Sequence, residues 1–397
     1  MKRAVVAAAL ALALVTTVLV VPRGVRLAPA AVDRVSAAEV GAAARARPHY
    51  GAHAWPDLIP GALPRGFRYH YNDAFRGWPL WPLHAQHPVR GSFLDPRPPA
   101  YHFGIDISVD DSHPDPRAPW QLSHRVYAIE SGLARDVHGL NRPCVKRRVE
   151  VGHFAYWHVS PTVKEWQHVL AGEAIGWTCL GEWHVHLSEW ARLDGRRVWV
   201  NPLHAGGKLA PYTDTAPPVV EKLRFFTPPR RGRVTGNLSP GYGPVRLSQW
   251  RLVGRVELRA EIGDPQSFWG FLARHPRWEV LDHPYRVAVV IRSLATGTVI
   301  LRRVSFQSDQ LPSTPYLVHY APGTRDDVPI SECRELPEHT RCLGAYWFRP
   351  FSRFRQEFWD TTRFPDGVYE ITVSAWDMRG NKGTRTVLVV VANAAGN

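Results

Sequence analysis

Two short stretches carry side chains of the kind that hold metal ions. In Trp183-His184-Val185-His186-Leu187 apolar residues alternate with histidines, so on a strand both imidazoles point to one face, about 6 to 7 Å apart along the chain. One can bind an ion while its neighbour moves protons. The second stretch, His102-Phe103-Gly104-Ile105-Asp106-Ile107, would hold its His and Asp roughly 13 Å apart if fully extended, too far for one ion. The chain must bend between them, and Gly104 is the residue able to supply the bend. Two His and one carboxylate leave the fourth position of a tetrahedral ion for water, as hydrolytic zinc sites require. With 19 histidines in 397 residues, chance pairings are common. The residues alone therefore leave a second reading open, an ordinary His102–Asp106 pair with two half-exposed histidines.

The elements that must position these side chains read as mainly β. Between about Leu83 and Leu209, short apolar runs such as Arg125-Val126-Tyr127-Ala128-Ile129 and Val149-Glu150-Val151 alternate with Gly, Pro and Asp turns, the texture of an antiparallel β domain. One helical stretch is expected near Thr162 to Leu170. Pro, Thr and Asp cluster from Ala210 to Pro218, which places a linker at 210–218. Beyond it the period of two is plain: Val256, Leu258, Ala260 and Ile262 alternate with charged residues, and Tyr369, Ile371, Val373 and Ala375 repeat the pattern. Residues 219–397 are thus expected to form a β-sandwich, with Ala295-Thr296-Gly297 turning between two strands and an insertion at about 308–361. Residues 31–82, Ala/Arg-rich and then dense in Pro, Trp and Tyr, read as a tether and an irregular wrapping segment.

Composition narrows the setting. Met1-Lys2-Arg3 precedes an apolar run from Ala4 to Val21, the pattern of an export signal within residues 1–30. The run reaches the lower limit for a spanning helix, so an uncleaved anchor to the outer face of the cytoplasmic membrane is a second outcome. Four cysteines suit an exported protein and allow three pairings. Pairing of sequence neighbours, Cys144 with Cys179 and Cys333 with Cys342, is the expectation, and none has zinc-finger spacing. The balance of 49 Lys+Arg against 35 Asp+Glu gives +14, which favours anionic polymers. Export argues against nucleic acid and points to wall polymers or lipid headgroups, while a solvated basic surface that aids solubility accounts for the charge equally well. His113, His124, His138, His153 and His168 are expected to be surface or structural, and Asp110 and Asp111 to be solvated.

The region from about Pro88 to Leu203 resembles the M23 family of peptidoglycan endopeptidases, the lysostaphin and LytM type, through motifs that follow the family's order. Tyr101-His102-Phe103-Gly104-Ile105-Asp106-Ile107 is similar to its H-x-G-x-D-I element, and Val126 to Gly132 to the strand that follows. Tyr156-Trp157-His158-Val159 corresponds to Y-x-H-L, Ala171 to Gly176 to an x-G-x-x-I-G turn, His184-Val185-His186 to H-L-H, and Asn201-Pro202 to the closing N-P. The resemblance implies an antiparallel β peptidase domain at 83–209 with zinc on His102, Asp106 and His186. It also implies catalytic His184 and His158 beside the metal-bound water, as general base and as orienter or oxyanion stabiliser. The C-terminal run Asp366 to Asn381 resembles the last hairpin of bacterial immunoglobulin-like modules. The implied activity is an exported zinc endopeptidase cutting peptide bonds of peptidoglycan; the alternative is a non-catalytic relative that binds wall peptides or activates another hydrolase. Leu187-Ser188-Glu189 departs from the family's F-E, and the approach to His184 is short and bulky, which leaves substrate preference open.

Overall fold

Strands form where side chains alternate between a buried and a polar face. In the computed structural model, residues 70–396 are described, apart from 98, 110, 111, 113, 120, 121, 140 and the segments 229–243, 267–280, 325–344 and 353–357. The N-terminal apolar run, Asp110, Asp111, His113, Cys333 and Cys342 lie outside the described residues. Among the described residues no helix is long and apolar enough to cross a membrane.

The first half is built from β1 (Val89–Gly91), β2 (Ile105–Ser108), β3 (Leu122–Tyr127), β4 (Arg135–His138), β5 (Arg148–Val151), β6 (Phe154–Trp157), β7 (Val159–Pro161), β8 (Ala174–Cys179), β9 (His184–Leu193) and β10 (Arg196–Val200). Its main antiparallel sheet runs β1-β2-β9-β6-β5-β4, with β10 also paired to β9, and β7-β8-β3 form a second sheet. β9 is the centre: Val185 and Leu187 bury fully in the hydrophobic core with Ile105, Ile107, Phe154 and Tyr156. Those apolar residues set the register, since a slip of one residue would turn every core side chain outward.

The expected helix between Thr162 and Leu170 does not form. The segment makes a turn, with the Gln167 amide donating to Lys164 O, and then the short strand His168–Val169 paired to Gly132–Leu133. The Glu165 carboxylate accepts from the Asp136 and Val137 amides, so this side chain ties the turn to β4 instead of lying on a helix.

The second half contains β11 (Val219–Phe226), β12 (Arg246–Leu247), β13 (Arg255–Pro265), β14 (Leu281–Asp282), β15 (Arg286–Ser293), β16 (Val299–Gln307), β17 (Trp347–Phe348), β18 (Trp359–Asp360), β19 (Gly367–Trp376) and β20 (Lys382–Val391). One antiparallel sheet is ordered β12-β11-β13-β14, with β17 and β18 on β13, and the other β16-β15-β19-β20. The alternating apolar residues read from sequence are buried, Val256, Leu258, Ala260 and Ile262 on one sheet and Tyr369, Ile371, Val373 and Ala375 on the other. Glu257, between Val256 and Leu258, is buried too, paired with Arg259 and Arg349. The Ala295-Thr296-Gly297 turn joins β15 to β16, and Gly297 takes the positive φ of 68° that this turn requires. Described parts of the expected insertion join the fold: β17 and β18 pair with β13, and Tyr320 is buried. Both halves belong to one compact unit, Pro48–Asn397.

Candidate metal centre

The site lies where β2, β9 and the end of β6 meet. Asp106 on β2 is the direct cross-strand partner of His186 on β9, and His186 is in turn opposite Trp157 on β6. Asp106 therefore faces His186 by register, a consequence of hydrophobic residues on either side of each. His102 reaches the same point because the chain bends at Gly104 before β2 begins. Gly104 has a second role that the bend alone would not suggest. A Cβ there would lie 2.5 Å from Leu187 O and 2.7 Å from His186 Nε2, so the absence of a side chain lets the two motifs touch. Gly91 acts likewise on the other side, where a Cβ would come within 2.7 Å of Asp106 Oδ2.

Three acceptor atoms converge. His102 Nε2 is 2.7 Å from His186 Nδ1, and each is 3.1 Å from Asp106 Oδ1. The far side of the His102 ring settles which of its nitrogens faces inward. His102 Nδ1 lies 2.8 Å from Ser92 O, and a carbonyl only accepts, so Nδ1 carries the proton and Nε2 presents a lone pair. His186 Nε2 is 2.9 Å from Ser188 Oγ; with its proton assigned there, Nδ1 also presents a lone pair. Two lone pairs and a carboxylate oxygen so close repel one another unless a cation or a proton lies among them. Such outer hydrogen bonds are how metal-binding histidines are oriented. His102, Asp106 and His186 are all buried, and this group could hold a metal ion. Two imidazoles and one carboxylate suit a borderline transition-metal ion better than a hard ion that prefers all-oxygen cages.

The electrostatics match a shared site. Burial pushes the Asp106 carboxyl upward, but His102 and His184 overcome it and hold the group well below the usual carboxylate range. Burial opposes charge on His102, yet the Asp106 charge and hydrogen bond raise it on balance. His186 is pulled down to about 4 by burial and by His102. Arg97 places Nη2 3.3 Å from Asp106 Oδ2, so the outer carboxylate oxygen is engaged while the inner one faces the histidines.

His184 and His158 stand beside this group. His184 Nε2 is 3.5 Å from Asp106 Oδ1, and its Nδ1 donates to Glu182 O, which leaves Nε2 as an acceptor toward the site. Burial, with Arg90 beyond, holds His184 down at about 4 against the pull of Asp106. The His158 ring is 4.7 Å from that of His184 and 6.2 Å from that of His186, centre to centre. Burial, and then His184, bring His158 down to about 4 as well. His158 Nδ1 is buried without a hydrogen-bond partner among the described residues, and its nearest carboxylate is Glu182 at 3.8 Å.

His158 sits in left-handed backbone at φ 61°, and Trp183, next to His184, at φ 56°. Such conformations cost about 1–3 kcal/mol in residues with a Cβ and persist only where surroundings enforce them. For His158 the enforcement is visible: its N–H donates to Arg147 O and its carbonyl accepts from the Cys179 amide, both at 3.0 Å. Cys179 is bridged to Cys144 with Cα atoms 5.9 Å apart, so one of the expected pairings is present and ties together the two segments that clamp His158.

The structure thus gathers all five residues singled out in sequence, His102, Asp106, His158, His184 and His186. Of the histidines expected to be surface or structural, His124 is buried on Ser123 and Ser112, His138 pairs with Asp136, His153 with Glu130, and His168 is exposed. Sequence reading missed the orienting groups Ser92 and Ser188 and the arginine, Arg97. Ser188 carried a signal, since positions 184, 186 and 188 share a face of one strand; Ser92 acts through its backbone carbonyl and carried none. No family model, no curated protein and no solved structure matches this chain.

Proposed function

We propose that this chain is an exported zinc endopeptidase of the M23 type, with an immunoglobulin-like sandwich behind its catalytic half, and that it hydrolyses peptide bonds of peptidoglycan. The observation that carries the reading is the convergence of His102 Nε2, Asp106 Oδ1 and His186 Nδ1 with two further imidazoles alongside. A structural metal site uses four closed protein ligands, whereas three ligands with adjacent titratable rings fit a hydrolytic one. Zinc is the ion that this donor set and this chemistry favour; bound there, it would lower the pKa of a water and polarise a scissile carbonyl.

The residues divide the remaining work. His102, Asp106 and His186 hold the ion. His184, with Nδ1 fixed on Glu182 O, accepts a proton at Nε2 and is the general base. His158, neutral near pH 7 because burial and its neighbours depress its pKa, orients the attacking water or stabilises the oxyanion that forms on the carbonyl oxygen. Wall peptides as substrate follow from the family resemblance of the motifs and from the export-like N-terminus. The +14 charge would hold the enzyme near anionic wall polymers. The non-catalytic alternative expects erosion of the site, and all five positions are filled.

The test is direct. Purified protein with zinc, incubated with peptidoglycan, releases new amino termini identifiable by mass spectrometry of the muropeptides, and His184→Ala does not. Absence of release beside an active control hydrolase removes the proposal.

A further inference from the structure

The sandwich carries polar side chains that reach out of its core into the loop before the first metal ligand. Residues 92–102 form that loop, ending in the small hairpin Pro96–Arg97 with Ala100–Tyr101. At its start, Leu94 is 1% exposed and held at φ 79°, a conformation that costs about 1–3 kcal/mol for a residue with a Cβ. Its N–H donates to His102 O at 2.8 Å. Its carbonyl accepts from Tyr320 Oη at 3.0 Å, and Tyr320 belongs to the second half.

Two more contacts cross the same seam. His283 Nε2 is 2.9 Å from Phe93 O and 3.6 Å from Asp95 Oδ1. Asp95 returns the support to the loop: its Oδ2 accepts from the Ser92 amide at 2.8 Å, and its carbonyl accepts from the His102 amide at 2.8 Å. Ser92 O is the group that fixes the His102 ring. On the other side of the centre, Gln266 bonds Val89 through both amide atoms, accepting from its N–H and donating to its carbonyl. Val89 is the cross-strand partner of Ile107, next to Asp106.

We infer that the C-terminal half is a built-in part of the metal centre: Tyr320 and His283 hold the 92–102 loop so that His102 presents Nε2, and Gln266 braces the strand beside Asp106. This rests on the metal-binding reading above and deepens it. A domain that only anchored the enzyme to the wall would need none of these contacts. Tyr320 can serve as a brace because its ring is fixed in the sandwich core, 5.1 Å from Phe348 and 5.7 Å from Phe306. Its hydroxyl is thereby placed at the seam with little remaining freedom.

The experiment compares two hydroxyl deletions in the full-length chain. Tyr320→Phe removes the buried bond to Leu94, whereas Tyr369→Phe removes a partly buried bond, to Pro365 O at 2.7 Å, far along the sandwich. Both variants should lose some thermal stability. Zinc affinity, measured against a competing chelator, should fall about tenfold or more in Tyr320→Phe, the scale seen when outer partners of metal ligands are removed, and stay unchanged in Tyr369→Phe. Gln266→Ala should weaken zinc in the same direction. Hydrogen exchange of the Leu94 and His102 amides in metal-free protein should speed up in Tyr320→Phe alone. Wild-type zinc affinity with wild-type exchange in Tyr320→Phe overturns the inference. A wild-type chain that takes up no zinc removes the zinc reading instead, and the metal-free exchange then decides whether the sandwich braces the loop.

Discussion

The two faces of β9 both carry buried polar groups, and they are wired in opposite ways. On one face, His186 and His184 meet Asp106, and with the ring protons assigned outward the inward atoms are acceptors facing one another. On the other, among Val185 and Leu187, Glu189 accepts from Tyr71 Oη at 2.6 Å and lies 3.4 Å from His204 Nε2. The same side of the half holds Glu130, which accepts from the Asn72 and His153 amides, and Lys208, which donates to Asp73 Oδ1 at 2.6 Å. In this second network protein donors meet Glu189 Oε1, both Glu130 oxygens and Asp73 Oδ1, and these bonds pin the segment 71–78 under the sheet. Burial of charged residues therefore does not mark a functional site; an excess of facing lone pairs does.

The largest separation between the faces should come from His186→Ala. Zinc content should drop from about one ion per chain to none, with the fold retained by circular dichroism; full zinc retention would mean that the ligands have been misassigned. Next, His184→Ala should keep its zinc while turnover falls by about 10²- to 10⁴-fold, the usual contribution of a positioned base. A loss of zinc equal to that of His186→Ala would instead make His184 a ligand. On the opposite face, Glu189→Ala should cost about 3–5 kcal/mol in denaturant unfolding, because it strands buried partners, yet leave zinc content unchanged.

The smallest and most discriminating difference is in pH. Burial raises the Asp73 carboxyl, but Lys208 and the Ser131 bonds hold it at about 2, below its ordinary 3.8. A depressed carboxylate contributes stability above pH 4 that is lost only as pH falls toward 2. His102 has the opposite sign: its raised pKa makes the proton a competitor for the metal, so zinc affinity should begin to fall as pH drops from neutrality. Acid titration should therefore release zinc from a still-folded protein, and simultaneous release and unfolding would contradict the separation of the two networks.

The legible part of the centre was the part made of polar residues at regular spacing. His184 and His186 alternate with apolar neighbours, and that alternation survives into β9 because Val185 and Leu187 have a core to enter. The polarity of Glu130 and Glu189 was equally visible, but their partners Tyr71, Asn72 and His204 are distant in sequence, and no local pattern joins them. The helix expected near Thr162 failed for a related reason. A stretch of nine residues has no preference strong enough to resist capture by neighbouring strands, and here the Glu165 side chain completes that capture.

By itself the sequence determined the mainly β architecture, the pairs of alternating strands in the second half, and the ring and carboxyl groups available to a metal. These depend on side-chain period and type, which are properties of neighbours along the chain. The tertiary structure alone decided that Gly104 serves close approach as well as bending, that Ser92 fixes which His102 nitrogen faces the site, and that Tyr320 and Gln266 reach across to the 92–102 loop and to β1. Each of those depends on atoms separated by many residues and brought together only when the sheets pack, where backbone carbonyls count as much as side chains.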